Sequence, residues 1–257
     1  MKKIFYLFSL LALTSCAASF QQIASISSPQ MRLTDDGHFA YSEEDIVVDY
    51  NFWAPSGQMN FIITNNLDSD VYVDLGRSFL VVNGMTFDYF QNRTYSSNSS
   101  ETSLSGRGVE YKEKEGVWIP AHSSRRFCEF TLMDVPYRQC GFARNPSRNE
   151  DMTLSFTEKN SPYAFDNVLM LVVNGIDRRI VNSFYVSSLT NIQSDETYED
   201  EHVKNCDGSK SSEIVRIYKY LSANRFFINY NYNAQQDRDT DTDDDRTKRN
   251  FSHFLGL

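Results

Sequence analysis

The chain is short of the residues on which metal and phosphate chemistry draw. It holds four histidines, four cysteines, two tryptophans and eleven glycines in 257 residues. His38, His122, His202 and His253 stand far apart, and none has the spacing of a zinc protease or zinc finger. There is no Gly-x-Ser-x-Gly elbow and no glycine loop to cradle phosphate, so the local signatures of serine hydrolases and nucleotide binders are missing. Lys and Arg number 25 against 34 Asp and Glu, so nucleic acid and anionic lipid headgroups are repelled. The main apolar run, residues 4–13, falls well short of the ~20 residues that span a bilayer. No cofactor and no metal is expected.

That short run has a different meaning. Lys2-Lys3 precede it and Leu13-Thr14-Ser15-Cys16 follow it. A charged start, an apolar middle and small residues before a cut make a secretory signal, residues 1–15. Cys16 after Leu-Thr-Ser resembles the bacterial lipobox. The resemblance implies cleavage before Cys16 and acylation there by diacylglycerol and a palmitate-like chain. The alternative is an ordinary signal cut nearby, for instance after Ala18, with Cys16 incidental. Each buried CH₂ contributes about 0.8 kcal/mol, and two or more chains hold firmly where one does not.

Removing 15 residues leaves 242 and takes the formal charge from −9 to −11, because Lys2 and Lys3 go with the leader. Residues 16–37 read as a lipidated tether, Ser-, Ala- and Gln-rich at 17–29 and without apolar period. Residues 17–22 hold no acidic side chain of the kind that directs some lipoproteins to the cell surface, and no Asp adjoins Cys16. By resemblance to other lipoproteins, this favours an outer-membrane anchor facing the periplasm, with the cell surface as the alternative.

The remaining body alternates with period two almost throughout. Met59, Phe61 and Ile63 alternate with Asn60, Ile62 and Thr64, as in a half-buried strand. Asn83-Gly84 and Asn174-Gly175 sit between apolar runs as tight hairpin turns, because both residue types tolerate positive φ. A second hairpin is expected within residues 109–119, around Glu115-Gly116, after a polar loop at 91–108. Residues 195–202 read as an acidic loop, and 214–232 as a terminal hairpin. About a dozen strands with few plausible helices predict an all-β chain, a β-sandwich over residues 38–233. The charged stretch 234–257 is expected to be disordered, with Asp237, Asp239, Asp241 and Asp243 only a fragment of a calcium loop. Aromatics reach 14%, and their first reading is packed strand, with sugar stacking on exposed rings as the functional one.

Three cysteines follow Cys16. Cys128 shares strand parity with Phe130 and Leu132, so it is expected to face the core. Cys140 and Cys206 lie in turn-like segments, and export to an oxidising compartment predicts a disulfide between them. Such a bridge closes a loop of about 66 residues and stabilises by ~4 kcal/mol in the chain-entropy account. Glu110 and Glu129 are carboxylates that a glycosidase could pair, with a solvated strand face as their simpler role.

The segments Tyr50-Asn51-Phe52-Trp53, Ile62-Ile63-Thr64-Asn65-Asn66, Ser78-Phe79-Leu80-Val81-Val82-Asn83-Gly84 and Asn182-Ser183-Phe184-Tyr185-Val186 resemble a group of uncharacterised lipoproteins from Bacteroides-like bacteria. So do Asp88-Tyr89-Phe90-Gln91-Asn92-Arg93-Thr94 and Asn160-Ser161-Pro162-Tyr163, and the likeness covers most of residues 45–232. It implies a β-sandwich and a bacterial source, and carries no activity with it. Ile119-Pro120-Ala121-His122-Ser123-Ser124 is also similar to a turn of immunoglobulin-like domains. The expectation is therefore a non-enzymatic envelope lipoprotein that meets the membrane through its anchor and binds an envelope protein or glycan. An envelope hydrolase acting on glycan or peptide is the alternative.

Overall fold

The computed structural model describes residues 19–97, 109–138, 142 and 152–231. Two antiparallel sheets pack face to face, so the fold is the expected all-β sandwich. The first strand is a surprise. Residues Ser19–Ser27 (β1) lie inside the region read as a tether, yet they form a strand buried on both faces. β1 pairs on one side with Ile176–Gln193 (β13) and on the other with Arg225–Asn231 (β16). Its polar residues are satisfied across the sheet. Gln22 Nε2 donates to Asn191 Oδ1 at 2.9 Å and to the Tyr137 carbonyl at 3.1 Å, and Gln22 Oε1 accepts the Tyr137 amide at 2.7 Å. Buried amides with partners are tolerated in a core.

The order of the larger sheet continues from β13 to Ala164–Val173 (β12), then Val71–Val82 (β5) and Met85–Asp88 (β6). The Asn83-Gly84 and Asn174-Gly175 turns have φ of 46° and 86°, and 52° and 78°, as the two hairpins require. Gly116–Ile119 (β9) pairs with the first part of β5 beside β6, and Met152–Ser155 (β11) extends β13. The second sheet runs Ser123–Thr131 (β10), Gln58–Asn65 (β4), Ile46–Tyr50 (β3), Phe39–Glu43 (β2).

Alternation fills the space between the sheets with rings. Phe184 lies 4.8 Å from Tyr50, 5.2 Å from Phe52 and 5.0 Å from Phe165, centroid to centroid. Ring pairs at such separations add about 0.5–1.5 kcal/mol beyond the area they bury. A polar knot sits among them. Tyr50 Oη accepts from Asn167 Nδ2 at 2.9 Å and from Asn182 Nδ2 at 2.7 Å, while Tyr89 Oη donates to Asn167 Oδ1 at 2.8 Å. Asn167 and Asn182 face each other directly on β12 and β13, so the knot fits one register only.

Several expectations need correcting. Residues 94–97 of the presumed polar loop are a strand (β7, Thr94–Ser97), which pairs with Val109–Lys112 (β8). Residues 109–119 therefore do not fold on themselves. The acidic stretch after the 3-10 turn Ser194–Thr197 is a strand (β14, Tyr198–Lys204), paired with Lys210–Tyr218 (β15) as a separate ribbon. The last strand joins β1 instead of β15, so there is no terminal hairpin. Cys128 is exposed, with its Sγ 3.3 Å from Gln58 Oε1. The register shift between Cys128 and Thr131 breaks parity, turning Phe127 and Phe130 toward Phe61 and Tyr89.

Candidate functional site

The larger sheet has two unlike ends. At one, Gln193 pairs with Phe20 and Phe20 with Tyr230. At the other, a single row runs from Asp177 through Val172 and Tyr72 to Trp118. β13 connects them with 18 residues. At about 3.3 Å per residue that is roughly 55 Å of strand before twist and bulge shorten it.

At the far end the outward face carries the most exposed tryptophan geometry that the sheet offers. Val71 and Val73 point into the sandwich, as do Val117 and Ile119, so the residues between them, Tyr72 and Trp118, point out. Trp118 is 59% exposed, and its ring lies 5.0 Å from that of Tyr72 at 53°. Gly116 makes the arrangement possible, because a Cβ there would stand 2.1 Å from Tyr72 Oη. Two residues along β5, Asp74 accepts from Arg77 Nε at 2.7 Å and from the Arg77 amide at 3.0 Å. Arg77 reaches over β12 to Asp177 with contacts of 2.5 and 3.2 Å. The hydrogen bond from Arg77 holds the Asp177 carboxyl below the ordinary range.

Aromatic faces beside fixed carboxylates and a guanidinium suit a polyhydroxylated ligand. The rings take the C–H faces of a sugar, and the charged groups take its hydroxyls.

A second cluster is ionic. Arg93 Nη2 donates to Glu113 Oε1 at 2.8 Å and to Glu129 Oε2 at 2.9 Å, tying the segment before β7 to β10. Burial pushes the Glu113 carboxyl up, but the amides of Arg93 and Gln91 and the Arg93 guanidinium outweigh it and hold Glu113 low. A general acid needs the opposite shift. Glu129 is thus clamped to a cation, and the Glu110 side chain lies outside the described residues.

Cys16 and Cys140 also lie outside the described residues, as do His253 and the aspartates of the tail. Cys206, expected to bridge to Cys140, is a free, exposed thiol in the Asn205–Gly208 turn joining β14 to β15. His38 pairs with Asp49 at 2.6 Å, His122 with Asp68 at 2.9 Å, and His202 with the Ser211 carbonyl at 3.0 Å, each in its own neighbourhood. Among the described residues no three His, Cys, Asp or Glu side chains converge as metal ligands, and no helix is long and apolar enough to cross a membrane. Sequence reasoning missed Trp118 and Tyr72 because it folded residues 109–119 back on themselves. The buried–exposed–buried run Val117-Trp118-Ile119 was the available signal.

Compared with known families, with curated proteins and with solved structures, the chain finds no match in any of the three.

Proposed function

We propose that the chain is an exported, non-enzymatic bacterial lipoprotein, anchored through Cys16 in the outer membrane and facing the periplasm, which holds an envelope glycan on the far end of its larger sheet. The observation that carries the glycan reading is the exposed Trp118 ring beside Tyr72, with the Asp74–Arg77–Asp177 clamp on the same face. The lipobox at residues 13–16 supports the anchor, and an acid excess of nine charges speaks against nucleic acid as a partner. A bridge between Cys140 and Cys206 belongs to the same reading, since export delivers the protein to an oxidising compartment. It would tie the tip of the β14–β15 ribbon to the segment after β10.

Two measurements test this. Cys16→Ala moves the protein from the detergent phase to the aqueous phase while its circular dichroism stays unchanged. Retention in the detergent phase overturns the anchor. Wild-type protein co-sediments with purified peptidoglycan sacculi, and Trp118→Ala weakens the association about tenfold, the loss of one well-placed aromatic contact. Equal sedimentation of both proteins, or of neither, overturns the glycan site.

A further inference from the structure

The first strand leaves an anchor at Cys16 almost no slack. A tether over residues 16–37 would hold 22 residues, about 70 Å at full extension. The structure removes nearly all of that length. β1 begins at Ser19, three residues after Cys16, so at most about 11 Å of extended chain separates the two.

β1 is held from its first residues. Ser19 pairs with Asn231, and Phe20 pairs with Tyr230 on one side and Gln193 on the other. The Phe20 ring is buried and stacks on Tyr230 at 5.6 Å and 28°. Gln21 Nε2 donates to Asn229 Oδ1 at 2.9 Å, and Gln21 Oε1 accepts from the Tyr218 hydroxyl. Gln22 is tied to Asn191 and Tyr137. Drawing β1 out to lengthen the tether would expose a buried ring and strip two buried amides of their partners. The strand therefore stays in the sheet, and the anchor point stays beside it.

β13 sets the direction away from that point. It meets β1 at Gln193, at this near end, and meets β12 at Asp177, where the row through Val172 and Tyr72 to Trp118 begins. Most of the length of β13 separates the two.

We infer that the near end of the larger sheet is a membrane-facing surface, which rests on zwitterionic lipid headgroups and carries the Trp118 row away from the bilayer. The inference rests on acylation at Cys16. The chemistry of the rim fits this partner. Ser19, Ser194, Tyr198 and Asn231 lie together there, and the 3-10 turn Ser194–Thr197 adds the exposed Asp195. Their hydroxyl, amide and carboxylate groups suit the ammonium, phosphate and water of a headgroup layer. Arg216 lies 4.8 Å over the Tyr198 ring and reaches the Asp195 carbonyl at 3.4 Å, which puts a guanidinium within this rim for lipid phosphate. Tyr198 and the half-buried Tyr230 stand on opposite faces of the sheet, and tyrosine is a residue of the membrane–water interface.

NMR of the full lipidated chain tests the orientation, in nanodiscs of phosphatidylcholine that contain a gadolinium-chelating lipid. The metal at the headgroups is expected to broaden the amide signals of Phe20, Thr197 and Tyr230 and to leave those of Tyr72, Trp118 and Asp177 sharp. Fifteen Gly and Ser residues inserted between Ala18 and Ser19 add a flexible link of about 20 Å. They should reduce the near-end broadening severalfold while the unbroadened signals keep their positions, which shows the fold intact. Equal broadening at both ends, stronger broadening at the far end, or near-end broadening untouched by the insert overturns the orientation while the anchor stands. A chain that does not enter the nanodiscs at all overturns the anchor, and the orientation with it.

Discussion

The two ends of the larger sheet share only β13 and do different things with aromatic rings. At the far end Trp118 and Tyr72 stand on an open face, and charge is displayed in the Asp74–Arg77–Asp177 clamp. At the near end Tyr198 packs edge-on against Tyr218 beneath the Arg216 guanidinium, while Tyr230 stacks on Phe20 across the β1–β16 pair. The difference arises from what covers the sheet. The β14–β15 ribbon packs its root against the near end, where Tyr218 stacks on Phe227 at 5.5 Å and Trp53 meets Tyr218 at 4.9 Å. At the far end the outward side chains Trp118 and Val181 are exposed. A single sheet thus has one end covered by a ribbon and one end bare.

The sharpest way to break this comparison is at β1. If Ser19–Ser27 were a tether, a charge there would cost nothing. As the strand between β13 and β16, it has Ala24 fully buried opposite both Leu189 and Phe226. Ala24→Asp is expected to destabilise by roughly 4 kcal/mol or more, an unpaired charge in a core, read as the urea midpoint. An unchanged midpoint would restore the tether.

Gly116→Ala comes next. The new Cβ meets Tyr72 Oη and, at 2.7 Å, the Val73 carbonyl, so both ring and backbone must shift. A loss of about 1–3 kcal/mol is expected, as for overpacking elsewhere, together with weaker retention on sacculi. An unchanged urea midpoint would show that the Tyr72 ring gives way freely.

Trp118→Ala should change stability by less than about 0.5 kcal/mol, because the side chain is mostly in water. A large fall in melting temperature would show that Trp118 is structural and would weaken the case for a binding face.

The smallest effect is expected at His38, away from the far end of the larger sheet. Its hydrogen bond and ion pair with Asp49, with Asp36 nearby, raise its pKa above the usual 6.5. The folded state therefore holds the proton more tightly than the unfolded chain. The contribution is complete below pH 6.5 and is lost as pH rises through the higher folded value. NMR titration should place the His38 midpoint above 6.5 and return it toward that value in Asp49→Asn. A wild-type midpoint at or below 6.5 would contradict the pair.

Where the physics is local, the residues were readable in the sequence. Asn-Gly turns adopt positive φ whatever surrounds them, and alternation sets which face of a strand is wet. The period-2 run at Gln58–Asn65 became β4 as expected, with Met59, Phe61 and Ile63 all buried. Cys128 failed the same test because a bulge two residues later reset the parity, and a bulge leaves little trace in composition.

β1 shows what composition hides. Ser, Gln and Ala at positions 19–25 look like a soluble linker. They are buried because Gln21 and Gln22 find partners at Asn229, Asn191 and Tyr137, between 115 and 208 residues away in the chain. Nothing in the neighbourhood of a glutamine records such a partner.

By itself, then, the sequence determined the strand period, the tight turns and the all-β class. Each depends on residues a few positions apart, through φ preference, pleat and hydrophobicity. Only the tertiary structure decided that β1 lies between β13 and β16, that β9 borders β5, and that Trp118 and Tyr198 stand at opposite ends. Those outcomes depend on which distant strands can bury one another's side chains and satisfy one another's amides, and that choice is made over the whole sheet at once.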